Sequence, residues 1–174
     1  MCICTVCALD RRPQVDVVYT DLTKAFDVVN HSILINKLAA FGLCNRLMTL
    51  FKSFLSNRSQ FVEYNGYRSL KYFSFSGVTQ GSNLGPILFI IYFNDALSQL
   101  NCPIFAYADD LKTANWVNSI EDCILLQSDL DIFGAWCDQN RQKINQSKCK
   151  VVTFSRATST IHYDNKRNGT TVLF

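Results

Sequence analysis

The feature that most constrains the fold is the run Ile104 to Ala108, which stops on two adjacent carboxylates, Asp109 and Asp110. The apolar segment has the length of a buried strand, and Leu111 to Val117 after it is again strand-compatible. The pattern is a hairpin whose tip carries two acids. Neighbouring carboxylates repel each other and resist burial unless a cation compensates. An Asp-Asp turn has a plain structural explanation, because Asp is a good turn residue. A divalent ion is the other explanation where several carboxylates meet.

The chain upstream supplies a third acid. Val15 to Tyr19 is rich in β-branched residues and reads as a strand that delivers Asp21 at its exit. Between it and the acidic hairpin, the spacing predicts a helix from Asn30 or His31 to Phe41, with Ile35, Leu38, Ala39 and Phe41 on its apolar face and Gly42 as its stop. A second helix is expected over about 45–55, with Leu47, Leu50, Phe51, Phe54 and Leu55 on one face. Two strands, 60–64 and 68–75, flank Asn65-Gly66, a strong hairpin signal. A glycine-rich turn, Gly77 to Gly85, opens a helix from Pro86 to Leu100 that is apolar nearly all round and therefore reads as central.

Beyond the acidic hairpin, Ser119 starts a helix that continues to about Asn140. Its apolar stripe runs through Ile124, Leu125, Gln127, Leu130, Phe133, Gly134, Trp136 and Cys137. A loop (145–148), a strand (150–155), a weak strand at 161–163, a turn near Asn168-Gly169 and a last strand reaching Phe174 complete the reading. Helices and strands mix without regular alternation, which argues for an α+β fold with a mostly antiparallel sheet.

Of 174 residues, 48% are hydrophobic and 18% charged, so the chain is globular and not disordered. The net charge of +3 is mildly basic, which is compatible with nucleic acid. The eight cysteines are mostly scattered singly in apolar segments, where a free thiol behaves as a small hydrophobe, not as part of a disulfide framework. Cys2, Cys4 and Cys7 cluster at the start, but no second pair follows at zinc-knuckle spacing. The longest apolar stretch, Leu84 to Phe93, is shorter than a bilayer span and contains Pro86. No secretory signal pattern opens the chain. The expected setting is intracellular, in nucleus or cytoplasm, not secreted and with no membrane partner.

Three stretches carry a resemblance. They are Asp21 to His31 (DLTKAFDVVNH), Gly77 to Pro86 (GVTQGSNLGP) and Phe105 to Asp110 (FAYADD), followed by Leu126 to Trp136, Asn140, Asn145, Lys148 and Phe154. In this order they resemble the successive palm motifs of reverse transcriptases, most nearly those of non-long-terminal-repeat retrotransposons. The match spans about 15–155, leaving 1–14 unassigned and 156–174 leading toward a thumb. The resemblance implies a polymerase palm-type sheet packed on helices, with fingers and thumb largely missing.

It also implies roles. Asp21, Asp109 and Asp110 match the metal-binding carboxylates, for two Mg²⁺ ions with Mn²⁺ as a substitute. Phe26 matches the bulky residue that excludes the 2′-hydroxyl of an incoming nucleotide; ordinary core packing is its competing explanation. Gln80 and Gly81 match the segment lining the nucleotide and template side. Lys148 matches a lysine near the leaving pyrophosphate, a candidate general acid, against a plain solvated loop lysine. Asp27 reads as a helix cap and His31 as packing or capping. Thr79 stands where the family commonly has Pro, and Asn83 where an apolar residue is usual. The implied partners are an RNA template, a DNA primer and deoxynucleoside triphosphates. Two other readings remain: a catalytically inactive remnant that binds RNA weakly, and an unrelated metal-dependent phosphoryl transferase.

Overall fold

A β-branched segment makes the central strand, which is buried on both faces. In the computed structural model, β1 (Gln14–Thr20) is flanked on both sides by antiparallel partners. The acidic hairpin supplies β6 (Ile104–Tyr107) and β7 (Asp110–Trp116), and β8 (Lys150–Ser155) pairs along the other edge of β1. The sheet order is β6-β7-β1-β8, all antiparallel. The structure describes residues 14–156 and 159–164, together with the backbone of 166–167 and 170–171. Cys2, Cys4 and Cys7, the Asn168-Gly169 turn and the end of the expected last strand lie outside the described residues.

The chain divides into two compact units. One comprises the residues up to Thr23 and from Asp95 onward, and the other Lys24–Asn94. In the first unit the sheet packs one face on α4 (Ile120–Gln139). Val18 of β1 and Val151 of β8 bury against Leu126 and Leu130 of that helix, with Cys102 beside them. Alternation puts Leu111, Thr113 and Asn115 of β7 in buried positions, and Asn115 Nδ2 donates to the Asp122 carbonyl at 2.8 Å. The Asp122 carboxylate accepts from Asn118 N (2.8 Å) and Ser119 N (3.2 Å), closing the helix start where the sequence placed it. These bonds, chiefly the one from Asn118, hold the Asp122 carboxyl below its ordinary range.

The stripe expected on this helix is turned at its N-terminal half. Ile124 and Leu125 are exposed, while Cys123 and Leu126 are buried. The weak strand expected at 161–163 does not form. Instead the Gln14 side chain donates to the Ile161 carbonyl (2.9 Å) and accepts its N–H (2.8 Å), imitating a strand pair with an amide. A short antiparallel pair, β9 (Lys166–Arg167) and β10 (Thr170–Thr171), follows.

The second unit holds α1 (His31–Ala40) and α2 (Asn45–Leu55). Asn30 caps α1 by accepting Ile33 N at 3.0 Å. Its buried residues are Leu34 and Leu38, and Ala39 and Phe41 of the expected stripe are exposed. On α2 only Leu55 is buried; Leu47 and Leu50 stand out to solvent.

The hairpin forms in two pieces. β2 (Arg58–Gln60) pairs β5 (Tyr72–Ser74), and β3 (Glu63–Tyr64) pairs β4 (Tyr67–Arg68) across Asn65-Gly66. Both turn residues have positive φ (49° and 80°), as a type I′ turn requires. Two residues on one side face three on the other between the pieces, a bulge that explains the imperfect alternation in the sequence. α3 (Leu84–Leu97) starts two residues before Pro86 and ends before Leu100. Leu88, Phe89, Tyr92 and Phe93 are buried, but Ile87 and Ile90 are exposed, so its apolar surface is not wholly internal.

Candidate functional site

The candidate residues divide between the two units. In the first, backbone register does the positioning. Thr20 and Leu111 form the last pair of the β1–β7 ladder, so Asp21 and Asp110, each one residue beyond it, flank the same end of the sheet. Asp109 is the second residue of the two-residue turn closed by the Tyr107–Asp110 pair. Ala108 before it holds φ 53°, a left-handed conformation that costs a residue with a Cβ about 1–2 kcal/mol. Asp109 is half-buried and Asp110 exposed.

The loop after α4 returns to the same edge. Thr23 N donates to the Lys143 carbonyl (2.7 Å) and Asn145 N to the Asp21 carbonyl (2.8 Å), with a bridge between Leu22 and Ile144. These ties bring Lys148 Nζ to 3.5 Å from Asp21 Oδ2. The lysine side chain is 65% exposed and the aspartate 23%. Tyr19, two residues before Asp21, pairs with Lys112 on one side and Lys150 on the other, so two further cations flank its ring. Lys112 Nζ lies 5.0 Å and Lys150 Nζ 5.6 Å from its ring centre.

All-oxygen donors on neighbouring strands suit a hard divalent cation. Among the described residues, however, no three His, Cys, Asp or Glu side chains gather into a set able to hold an ion. The donor chemistry and backbone register fit; the side chains as they stand leave Asp21 turned to Lys148.

In the second unit Phe26 sits in the turn within the first motif. Its ring stacks on Phe89 at 4.2 Å between centres and 22° between planes, which holds it rigid while leaving it only half-buried. Gly81 has φ +78° and nothing within 4 Å of where a Cβ would stand, so its face is open. Gln80 Nε2 donates to Asp27 Oδ1 at 3.0 Å. Asp27 is therefore not the cap of α1, a role that Asn30 fills. One ring nitrogen of His31 lies 2.7 Å from the Gly77 carbonyl, tying the helix start to the glycine turn.

Two residues have roles that sequence reasoning missed. Gly77 has φ +85°, and a Cβ there would meet the Asp27 carbonyl at 2.7 Å. In the sequence Gly77 is one glycine of a turn and carries no mark of that approach, because its partner lies far upstream. The second is buried Asp129. It accepts from Cys102 N (2.7 Å), from Asn101 N (3.0 and 3.1 Å) and from Asn101 Nδ2 (3.0 Å). It thereby pins the segment that leads into β6 and the acidic turn. Burial, together with Asp129, pushes the Cys102 thiol up to about 12, so it is a packing residue and not a nucleophile.

The two departures from the family pattern differ physically. Asn83 is exposed, so a polar side chain costs nothing there. The Thr79 hydroxyl is buried without a hydrogen-bond partner.

An antiparallel sheet backed by helices, with acids at a strand exit and a hairpin tip, is a palm-type fold. Telomerase from Candida tropicalis, solved with a TWJ fragment of telomeric RNA, superposes with a TM-score of 0.69 at 14% identity, over 91% of this chain and 29% of that one. At that identity the likeness speaks for the fold alone. The reverse transcriptase (RNA-dependent DNA polymerase) family matches residues 5–168, and the chain belongs to it.

Its relatives include the RNA-directed DNA polymerase from mobile element jockey of Drosophila funebris, 34% identical over 159 residues. That alignment covers 86% of this chain and 17% of the relative. The Pol polyprotein from type-1 retrotransposable element R2 of Popillia japonica is 30% identical over 109 residues, 55% of this chain and 18% of that protein. The resemblance to retrotransposon enzymes thus holds, and the chain spans about a sixth of the length of the jockey relative. Among the described residues no helix is long and apolar enough to cross a membrane.

Proposed function

We propose that this chain is the palm of an RNA-directed DNA polymerase, adding deoxynucleotides to a DNA primer on an RNA template inside the cell. What supports the proposal most is the β1–β7 register: its last pair, Thr20 with Leu111, leaves Asp21 and Asp110 flanking one end of the ladder, with Asp109 in the adjoining turn. In the reaction the primer 3′-oxygen attacks the α-phosphorus, the bond to pyrophosphate breaks, and the hydroxyl proton passes to solvent water. Asp21, Asp109 and Asp110 would hold divalent ions, two Mg²⁺ with Mn²⁺ as a substitute. When bound, these ions acidify the primer hydroxyl and neutralise the leaving pyrophosphate.

The chain's own side chains supply the rest. Lys148, on its exposed stem, swings from Asp21 to the leaving pyrophosphate and donates a proton there. Phe26, braced by Phe89, blocks the space a 2′-hydroxyl needs. Gln80 and Gly81 line the nucleotide and template side, where the open face of Gly81 admits close approach. Lys112 and Lys150 give the sheet face a positive potential toward a nucleic-acid backbone.

Primer extension on an RNA template with Mg²⁺, native chain against Asp109→Asn, tests this. Extension by the native chain, lost by at least about 100-fold in the variant, is expected. Equal extension by both refutes the carboxylate assignment. RNA binding without extension by either leaves the non-catalytic RNA-binding reading in its place.

A further inference from the structure

We infer that Asp27 is a positioning residue, whose carboxylate sets which end of the Gln80 amide faces a ligand. Gln80 then presents its carbonyl oxygen to a hydrogen-bond donor. The donor is a sugar hydroxyl of an incoming nucleotide or a 2′-hydroxyl or base N–H of a template strand. The inference rests on the reading that Gln80 lines the nucleotide and template side.

A carboxylate only accepts, so the group of Gln80 that meets Asp27 Oδ1 at 3.0 Å is its Nε2. The amide oxygen is thereby left to accept from elsewhere. Both partners are held by their backbones. Val78 N donates to the Phe26 carbonyl (2.9 Å), Ser76 Oγ to the Asp27 carbonyl (2.9 Å) and Gly77 N to the Val29 carbonyl (2.8 Å). Gly77, lacking a Cβ, lets the two segments approach. Asp27 and Gln80 line one cavity of about 550 Å³ with Arg58, Gln60 and Tyr72. That volume admits a nucleotide unit, and the lining pairs one cation with one anion, suiting hydrogen-bond recognition over bulk charge.

The same bond ties the loop to the candidate sugar-sensing ring. Phe26 precedes Asp27 directly, so a change at residue 27 reaches both. Asp27→Asn keeps an acceptor oxygen and serves as the conservative variant, whereas Asp27→Ala removes it.

The test uses the full chain, ¹⁵N-labelled, with the Gln80 side-chain amide assigned by its loss in Gln80→Ala. The probes are dATP and an RNA oligouridylate, which separate the two sources of the donor. In Asp27→Ala the Gln80 amide signals move, and in Asp27→Asn they stay near their native positions. Affinity for one probe falls about tenfold in both Asp27→Ala and Gln80→Ala, and the double variant binds no more weakly than Gln80→Ala. Weakened binding in Gln80→Ala with native binding in Asp27→Ala overturns the inference and leaves the role of Gln80 standing. Native binding of both probes by Gln80→Ala removes the reading beneath it, and the inference with it.

Discussion

Replacing Asp129 by Ala should cost about 3–4 kcal/mol of stability, although the residue lies on neither strand of the acidic hairpin. The carboxylate is 1% exposed and accepts four hydrogen-bond contacts from Asn101 and Cys102. The Cys102 N–H is buried, so its loss leaves an orphaned donor beside a missing charge, about 2–3 kcal/mol. The Asn101 donors are part-buried and reach water after the change, so they add only about 1 kcal/mol together. With a urea m-value of about 2 kcal/mol/M, the unfolding midpoint should drop by about 1.5–2 M at neutral pH.

The pH dependence of that gap follows from the same bonds. Burial alone would raise the Asp129 carboxyl, but the bonds from Cys102 and Asn101 outweigh it and hold the group below its usual value of 3.8. A depressed folded-state pKa stabilises the fold fully above the unfolded value, about pH 4, and the contribution fades as pH falls through the folded value. The difference between native and Asp129→Ala should therefore be constant from about pH 5 to 7 and narrow below about pH 4. A loss under about 1 kcal/mol, or a gap that widens in acid, would refute this account.

Further outcomes are expected from unfolding and extension assays. Gln142 is 3% exposed with neither amide atom partnered, so Gln142→Leu should gain about 1–2 kcal/mol in urea unfolding; a loss of that size counts against it. Gly77→Ala should lose at least about 2 kcal/mol, because its Cβ would stand 2.7 Å from the Asp27 carbonyl at φ +85°. Gly81→Ala, with the same sign of φ but open space, should lose only about 1 kcal/mol, and equal losses at both sites would show that crowding plays no part. Phe26→Ala should let ribonucleotides compete with deoxynucleotides in primer extension, and unchanged discrimination would return Phe26 to a packing role.

What the sequence disclosed depended on how local each cause was. β1 and the Asn65-Gly66 turn rest on β-branched residues and turn chemistry within a few positions, and they lie where the sequence put them, whereas the acidic hairpin turns one step earlier than its expected Asp109-Asp110 tip, at Ala108-Asp109, with Asp110 opening β7. The helix faces were harder. Nothing local favours Leu34 over Ala39 on α1, or Cys123 over Ile124 on α4; the packing partner decides which way each helix is turned. Asp129 in an apolar helix looks like a solvent-facing break until Asn101 and Cys102 arrive from 28 and 27 positions away. The bond between Asp27 and Gln80 spans 53 positions and is invisible to any window. The candidate acids were legible as residue types, whereas the turning of Asp21 toward Lys148 was not.

The two-residue link between Tyr107 and Asp110 has a bearing on how such a chain can change over time. One added residue there, if it slid β7 by a single step, would turn Leu111, Thr113 and Asn115 off the α4 side and break the Thr20–Leu111 pair beside Asp21. At the tip Ala108 is the position whose side chain is free to change, whereas Asp109 is held by its proposed chemistry and the loop length by the pairing beyond it, so the hairpin behaves like a reading frame written in peptide units.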